Sequence, residues 1–253
     1  MSDKNVNQYE HELSEYLKCR SDLKYFTTNY FKLVGPKGEL PFDLWQSQKE
    51  FQDHLTINPF SISLSARQTG GSSLLAAYAM WRALFWDYKL LVVAPNLSQS
   101  KGFMEIINRA FDRLPKWLQA PVRQQTNSDI FFSLGSIRIA AAGKSCGKGM
   151  SLDGVIFLET SYIPDNRLGD TLESLLPTFI HSNHPTIVIH SSGYVPESRF
   201  HRLWIDANAE KGTFIPFKLT MDSVPNRDDE WKQRMQSLIG SENWEREFAL
   251  EHV

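Results

Sequence analysis

The sequence predicts an α/β protein in which a mainly parallel sheet is flanked by helices. From residue 60 onward, short apolar segments alternate with longer helical patterns. Several of the apolar segments, such as residues 89–94 and 154–158, also lack the every-second-residue alternation of a half-exposed strand, which indicates burial on both faces. Strands that alternate with helices form parallel sheets through right-handed crossovers, and ligands bind beyond the carboxyl ends of such strands. We therefore expect the functional loops to follow Ser65, Ala94, Leu158 and His190.

The N-terminal part of the chain is predicted to be helical. Over residues 1–34, apolar side chains recur at spacings of three and four and so share one face of a helix. Glycine and proline predict a turn over residues 35–38. A second helix is expected over residues 42–55, where aromatic and aliphatic side chains stand among polar neighbours.

The α/β part is predicted from short runs rich in Leu, Val, Ile and Phe, and from the helical patterns between them. Strands are expected over residues 60–65, 89–94, 154–158, 186–190 and 214–219, with a hairpin formed by 130–134 and 136–141. Helices are expected over residues 72–86, 98–114, 170–179 and 199–209, followed by two more polar helices over about 228–238 and 242–250.

Size, charge and cysteine content exclude several classes of protein. The chain has 253 residues, 42% hydrophobic and 22% charged, which suits one or two globular domains. Its 27 basic and 29 acidic side chains give a net charge of −2, so no overall basic field predicts nucleic-acid binding. Cys19 and Cys146 make neither a disulfide framework nor a zinc motif. The longest apolar run, residues 74–81, is far shorter than the ~20 residues of a membrane span, and we expect no membrane anchor.

The loop between the first core strand and the following helix has the features of an anion site. Residues 65–73 read Ser-Ala-Arg-Gln-Thr-Gly-Gly-Ser-Ser, and backbone N–H groups at a glycine-rich helix start favour phosphate. Ser72 stands where the hydroxyl of a P-loop ligates Mg²⁺. The pattern GxxxxGK[ST] fails at Ser65, which replaces the first glycine, and at Gly71, which replaces the lysine. A plain turn with a serine cap is the alternative at this point.

A second motif surrounds the end of the strand predicted over residues 154–158. Glu159 follows this apolar strand directly, and a carboxylate at that place can ligate Mg²⁺ or orient a water beside a nucleotide. Two registers are open: Leu158 and Glu159 fill the slots of the usual Asp-Glu pair, or Glu159 and Thr160 do. A glutamate that simply faces solvent is a third interpretation.

Taken together, these segments resemble the ATPase domain of the large terminase subunit of tailed bacteriophages, the DNA-packaging motor, over about residues 26–253. Residues 66–72 match the family's phosphate loop except at the lysine, and residues 44–48 look like its adenine-contacting glutamine motif, with Gln48 favoured. Residues 155–164 align with the family's acidic strand without a gap, which puts Glu159 in the catalytic glutamate slot and Leu158 in the Mg²⁺-aspartate slot. Residues 187–193 resemble the coupling motif, and 227–232 and 244–248 look like the segment that ends the domain.

The resemblance implies a P-loop NTPase-like fold of the ASCE/RecA-like kind, in a single ATPase domain over residues 1–253. Residues 59–219 would form the P-loop core and residues 1–58 and 220–253 a small helical lid, and we expect no counterpart of the family's nuclease domain in this sequence. Carried over position by position, the implied nucleotide-binding residues are Gln48, Arg67, Gln68, Thr69, Gly70, Gly71, Ser72 and Ser73. The implied catalytic residues are Glu159, Arg67 and Lys148, the last in place of an arginine that acts on a neighbouring subunit's nucleotide. Ser191, Ser192 and Gly193 would form the coupling motif, and Ser72 a weak Mg²⁺ ligand.

The function implied by the resemblance is ATP-driven translocation of double-stranded DNA into a procapsid, with ATP and Mg²⁺ as cofactors. The expected partners are double-stranded DNA, a portal protein, a small terminase subunit and further copies of the chain in a ring, in the cytoplasm of the host cell. Because Gly71 and Leu158 lack the lysine and the aspartate of the family, we expect hydrolysis to be impaired. The alternative is a non-hydrolysing terminase-like scaffold that binds protein or DNA. A third interpretation, a helicase-like P-loop enzyme, has less support because the later helicase motifs are not recognisable in the sequence.

Overall fold

The centre of the protein is an eight-stranded sheet, seen in a computed structural model that describes residues 3–35, 38–225 and 227–250. Its strand order is β10-β3-β9-β8-β4-β7-β6-β5, and the first six of these strands run parallel. The strands β6 and β5 are antiparallel. The strand bounds are β3 Phe60–Ser65, β4 Lys89–Ala94, β5 Val122–Gln125, β6 Asp129–Phe132, β7 Ser136–Ala141, β8 Gly154–Phe157, β9 Thr186–Ser192 and β10 Ile215–Leu219. A separate antiparallel hairpin consists of β1 Leu33–Gly35 and β2 Gly38–Leu40.

Helices flank this sheet. They are α1 Asp3–Ser21, α2 Leu23–Asn29, α3 Gln46–Ile57, α4 Gly71–Phe85, α5 Leu97–Phe111, α6 Asp165–Leu175, α7 Arg199–Asn208, α8 Asp229–Ile239 and α9 Ser241–Trp244. Short 3₁₀ turns lie at Thr160–Tyr162, Leu176–Phe179 and Met221–Ser223, and a π-helix follows α9 over Glu245–Ala249. Among the described residues, no helix combines the length and the apolar content needed to cross a bilayer.

Two apolar clusters lie on the two faces of the sheet, which explains why β4 and β8 do not alternate apolar with polar residues. In β4, Leu90 and Val92 belong to a cluster with α2 to α5, whereas Leu91 and Val93 belong to a cluster with α6, α7 and the C-terminal helices. The central strands β3, β4, β8 and β9 are therefore buried on both faces, as the sequence predicts. The N-terminal helical segment lies in the first cluster and the C-terminal segment in the second. The single lid subdomain expected from these two segments stays a prediction.

Several elements differ from the predicted bounds for local reasons. The first helical region is divided at Asp22, whose side chain accepts the N–H groups of Lys24 and Tyr25 and so caps α2. Helix α6 begins at Asp165 rather than at residue 170, and its predicted end is a 3₁₀ turn that contains Pro177, which has no N–H for an α-helical bond. Strand β5 has no counterpart among the predicted strands. Of the turn predicted over residues 35–38, Pro36 and Lys37 lie outside the described residues.

Candidate functional site

A cleft of about 380 Å³ opens at the carboxyl ends of β3 and β8. The start of α4 and the loop before it contribute Ser72 and Arg67, and the segment after β8 contributes Leu158, Glu159 and Tyr162. Helix α5 supplies the opposite wall, which consists of Gln99, Gly102, Phe103 and Ile106. The cleft therefore lies at the edge of the sheet where the sequence predicts the site, and it brings together Arg67, Ser72 and Glu159.

The loop over residues 65–73 has the shape of an anion cradle. Gln68 and Gly70 have left-handed backbones, with φ of 60° and 86°, and a glycine adopts this conformation without strain. The Thr69 hydroxyl donates to the Ala66 carbonyl oxygen at 2.7 Å and closes the turn. Helix α4 begins at Gly71, so the N–H groups at its start have no partner within the helix, and Ser72 of this first turn lines the cleft. Such a helix start favours a negatively charged group.

Gln48 supports this loop from behind and is 2% exposed. Its side-chain amide N–H donates to the Thr69 carbonyl oxygen at 2.9 Å, and its Oε1 accepts the N–H of Trp45 at 3.1 Å. Both ends of the amide are therefore engaged by the protein. The adenine contact implied for Gln48 stays a prediction.

Gly71 has no room for a side chain. A Cβ placed on it would lie 2.9 Å from Cε1 and from Nε2 of His190, and 3.1 Å from Oγ of Ser65. His190 lies on β9, is 1% exposed, and makes a 2.9 Å hydrogen bond between Nδ1 and Oγ of Ser63. Burial lowers the pKa of His190 to about 4, so the imidazole is neutral at pH 7. Neither residue supplies the positive charge that the lysine of a P-loop would place here.

Leu158 gives the cleft an apolar surface, whereas the neighbouring Glu159 gives it a carboxyl group. Leu158 is 5% exposed and joins the apolar cluster that includes Phe103. Glu159 has a left-handed backbone with φ of 49°. Its Oε1 and Oε2 accept the hydroxyl and the N–H of Ser192 at 2.9 and 3.2 Å. Burial raises the pKa of the Glu159 carboxyl, and the Ser192 hydrogen bonds partly oppose that shift.

The implied coupling residues join the end of β9 to the rest of the site. The Ser191 hydroxyl accepts the N–H of Ser161 at 3.3 Å, Ser192 holds Glu159, and the Gly193 N–H donates to the Ser65 carbonyl oxygen at 3.0 Å. Gly193 has φ of 80°, which favours glycine. The Glu159 carboxylate and the phosphate loop are thus bonded to neighbouring residues of one strand end.

The C-terminal segment contacts the phosphate loop directly. Arg67 forms an ion pair with Glu247, and its backbone N–H donates to the Glu247 carbonyl oxygen at 2.8 Å. The Tyr162 hydroxyl donates to the same carboxylate at 3.2 Å. Arg227 donates to the Gln68 carbonyl oxygen at 3.1 Å while its guanidinium lies 4.6 Å from the ring centre of Trp231. Residues on both sides of α8 therefore brace the loop.

Of the implied site residues, Arg67, Ser72 and Glu159 line the cleft, and the others do not. Lys148 is exposed on the loop between β7 and β8 and does not line the cleft. Ser73 faces a neighbouring cavity that is bordered by the β1–β2 hairpin and by Arg109. Lys148 is implied to act on another subunit, so its position in one chain does not test that role.

A bound Mg²⁺ does not fit the side chains of the cleft. The Ser72 hydroxyl is available, but Leu158 offers no oxygen and both oxygens of Glu159 accept hydrogen bonds from Ser192. Mg²⁺ usually takes one or two protein carboxylates together with substrate phosphates and water. Within the part of the chain that the structure describes, no group of three or more His, Cys, Asp or Glu side chains could hold a metal ion either.

The contacts of the site between residues that are far apart in the chain could not be predicted from the sequence. Glu247, Arg227 and His190 touch the phosphate loop or the residue that begins α4, although they lie far from it along the chain. The resemblance implies a lysine at the position of Gly71, but nothing in the sequence indicates which side chain lies against this glycine. Arg67 and Glu159, by contrast, can be identified in the sequence as candidate site residues because each follows a predicted core strand.

Comparison with solved structures shows which fold this is. The chain superposes on a point mutant of the large terminase ATPase domain of Thermus phage P74-26 with a TM-score of 0.67 and 18% identity, over 84% of this chain and 95% of that one. The large terminase of bacteriophage HK97 gives 0.69 and 15%, over 90% of this chain. A large terminase from a thermophilic bacteriophage gives 0.63 and 14%, over 81% of this chain, and it also matches in complexes with ATP-γ-S and ADP. The chain spans only 54% of the HK97 protein and 52% of the thermophilic phage protein.

No protein-family model and no curated protein matches the chain by sequence. The structural likeness, at identities of 14–18%, confirms the predicted fold class. The protein has a mixed α/β fold with an eight-stranded, mainly parallel sheet flanked by helices, as in phage large terminase ATPase domains.

Proposed function

We propose that the chain acts in phage DNA packaging as a large-terminase ATPase-type domain that binds ATP and hydrolyses it poorly. The observation that carries this proposal is the meeting of Arg67, Ser72 and Glu159 in one cleft at the carboxyl edge of a parallel sheet. Large terminases of this fold are its structural neighbours, and the one from the thermophilic bacteriophage is seen with ATP-γ-S and with ADP.

Nucleotide phosphates would bind at the start of α4. Ser72, in the first turn of this helix, lines the cleft, and Arg67 is the one cationic side chain among the cleft residues described here. A phosphate that binds Arg67 must replace Glu247 on the guanidinium. Arginine can hold phosphate through two parallel hydrogen bonds, so residues 66–73 retain part of a phosphate site without a lysine.

Hydrolysis is impaired for two reasons that can be read from side chains. A charge-assisted hydrogen bond of the kind a P-loop lysine makes contributes about 1.5–3 kcal/mol, and Gly71 makes none. Leu158 provides no carboxylate to position a metal ion beside the phosphates. Glu159 remains as a candidate to orient a water, but Ser192 holds its carboxylate.

The remaining features of the proposal come from the fold likeness. Double-stranded DNA, a portal protein, a small terminase subunit and a ring of further copies are the proposed partners, in the host-cell cytoplasm. Lys148 would act on the nucleotide of a neighbouring copy, since it is exposed outside its own cleft. Residues 59–219 would form the nucleotide-binding core of one domain over 1–253. DNA binding through phosphate contacts would weaken as salt is raised, and an affinity that stays constant from low to high salt would contradict it.

Calorimetric titration of the chain with ATP, with and without Mg²⁺, tests the central claim. We expect micromolar to submillimolar binding that Arg67→Gln weakens and that Arg234→Gln, on the exposed face of α8, leaves unchanged. A robust Mg²⁺-dependent steady-state rate that Glu159→Gln abolishes would contradict impaired hydrolysis. No heat at millimolar ATP with folded protein would favour the second candidate, a non-hydrolysing scaffold. The closed space at Gly71 and the apolar Leu158 are the observations that support that alternative.

A further inference from the structure

Gly71 and His190 are packed so closely that the imidazole fills the space that a side chain at position 71 would need. The first residue of α4 lies against the imidazole of β9, and a Cβ at position 71 would come within 2.9 Å of two ring atoms. Real Cβ atoms do not approach other heavy atoms this closely, so one of the two groups must move before any side chain can be placed there. The third neighbour, Oγ of Ser65 at 3.1 Å, needs to yield only a few tenths of an ångström.

The imidazole is not free to move aside. It is 1% exposed, its Nδ1 pairs with Oγ of Ser63 at 2.9 Å, and its ring centre lies 6.3 Å from that of Phe51. Its Nε2 lies 3.4 Å from Oγ of Ser65. Close-packed interiors resist added methylene groups because neighbouring side chains must leave their preferred rotamers.

We propose that His190 is the residue that excludes a side chain from position 71 and so determines which phosphate contacts the loop can make. The glycine at position 71 is one half of a steric pair, and the histidine on β9 is the other half. It follows that Gly71→Lys alone does not restore a P-loop lysine, whereas Gly71→Lys together with a smaller residue 190 does. The second part rests on the proposed function; the packing relation does not.

Thermal unfolding of single and double variants tests the packing relation without any ligand. His190→Asn is the matched variant, because an asparagine amide can keep the bond to Ser63 while Cε1 and Nε2 are removed. We expect Gly71→Ala to lower Tm by roughly 3–10 °C in the natural background, as overpacking does in a domain of this size. In the His190→Asn background the same change should leave Tm unchanged or raise it. Gly102→Ala on α5, where a Cβ meets nothing within 4 Å, should raise Tm by about 2–4 °C.

Two results would overturn the steric pair. One is a Gly71→Ala protein whose Tm does not fall, and this result needs no variant at position 190. The other is a fall of equal size in both backgrounds, since independent sites add. If His190→Asn does not fold, His190→Ser removes the same two atoms and takes its place in the comparison.

Titration with ATP tests the consequence for the site. Gly71→Lys should bind ATP no more tightly than the unchanged chain, and Gly71→Lys/His190→Asn at least about tenfold more tightly, as a new charge-assisted contact would give. A tenfold gain from Gly71→Lys alone would overturn the proposal. If the Tm values show the coupling and no variant binds ATP, the nucleotide function fails while the steric pair stands.

Discussion

Arg67 in the phosphate loop and Glu247 in the C-terminal π-helix form an ion pair across 180 positions of the chain. A backbone hydrogen bond joins the same two residues, and Tyr162 donates to the same carboxylate. The Arg246 carbonyl oxygen accepts the N–H of Tyr194, just after Gly193 of the implied coupling motif. The C-terminal segment therefore lies at the edge of the cleft. Its Glu247 carboxylate pairs with Arg67, the cation that a phosphate would need.

Replacing this carboxylate should favour phosphate binding. Glu247→Gln removes the negative charge from Arg67, so ATP no longer has to displace an ion pair, and we expect ATP affinity to rise about three- to tenfold. The cost in stability should be within about 1 kcal/mol, because a pair whose side chains are 48% and 22% exposed is screened by solvent. Calorimetric titration and urea unfolding measure the two effects.

The control for this change is Glu242→Gln on the same segment. Its carboxylate lies 3.7 Å from Arg246, on the same helical segment rather than on the phosphate loop, so the ATP affinity should stay as it is. If Glu247→Gln weakens ATP binding, the carboxylate supports the loop rather than competing with phosphate.

The buried carboxyl of Glu159 should make stability depend on pH. Its pKa is raised above the ordinary 4.5 by burial, so the folded protein favours the protonated form. Stability from this group is therefore fully present below pH 4.5 and is lost as pH rises through the higher folded pKa. We expect Glu159→Gln to have a higher Tm than the unchanged chain at about pH 7–8, with the difference shrinking toward about pH 4.

Glu173→Gln on the exposed face of α6 controls for the loss of one negative charge. A Glu159→Gln protein that is less stable than the unchanged chain at about pH 8 would show that the two Ser192 hydrogen bonds outweigh the cost of burying the charge.

The sheet was predictable because its strands are defined by local composition. The segment over residues 89–94 is rich in Leu and Val on both faces, and the segment over residues 60–65 alternates serine with Phe, Ile and Leu; the structure begins and ends β4 and β3 at those residues. Strand β5 was not predictable, since all four of its residues are exposed and three are Arg or Gln. It exists because its backbone pairs with β6 at the sheet edge, and such pairing leaves no mark in the composition.

The candidate site, like the fold, has features that the sequence predicts and features that it does not. A loop after a core strand and a glutamate after another are local signals, and they place Arg67 and Glu159 in one cleft. Gly71 at the start of α4 lies against His190 of β9 because β9 is the sheet neighbour of β3, the strand that precedes α4, although the two residues are distant in sequence. A residue type and its spacing cannot report such a contact, which depends on the order of strands in the sheet.

Gln48 should matter for stability whether or not it contacts a nucleotide. Gln48→Ala leaves the Thr69 carbonyl and the Trp45 N–H without their partner, and unpaired buried groups cost about 1–3 kcal/mol each. We expect a loss of about 2–4 kcal/mol in urea unfolding. Gln46→Ala, on the same helix and exposed, should change stability by no more than about 0.5 kcal/mol. Equal effects of the two changes would contradict the supporting role.

His190 should make the protein sensitive to mild acid. Its pKa is about 4 in the folded protein, lowered by burial from the ordinary 6.5, so the unfolded chain takes up a proton in a range where the folded one does not. Stability from this group is fully present above pH 6.5 and falls by up to about 1.4 kcal/mol per pH unit between pH 6.5 and 4. Urea unfolding of the unchanged chain and of His190→Asn across that range isolates this contribution, because the other titrating groups are common to both. We expect the stability advantage of histidine over asparagine to shrink steadily as the pH is lowered. An advantage that stays constant from about pH 7 to about pH 4 would mean that the imidazole accepts a proton in place, and a positive charge would then lie beneath the start of α4.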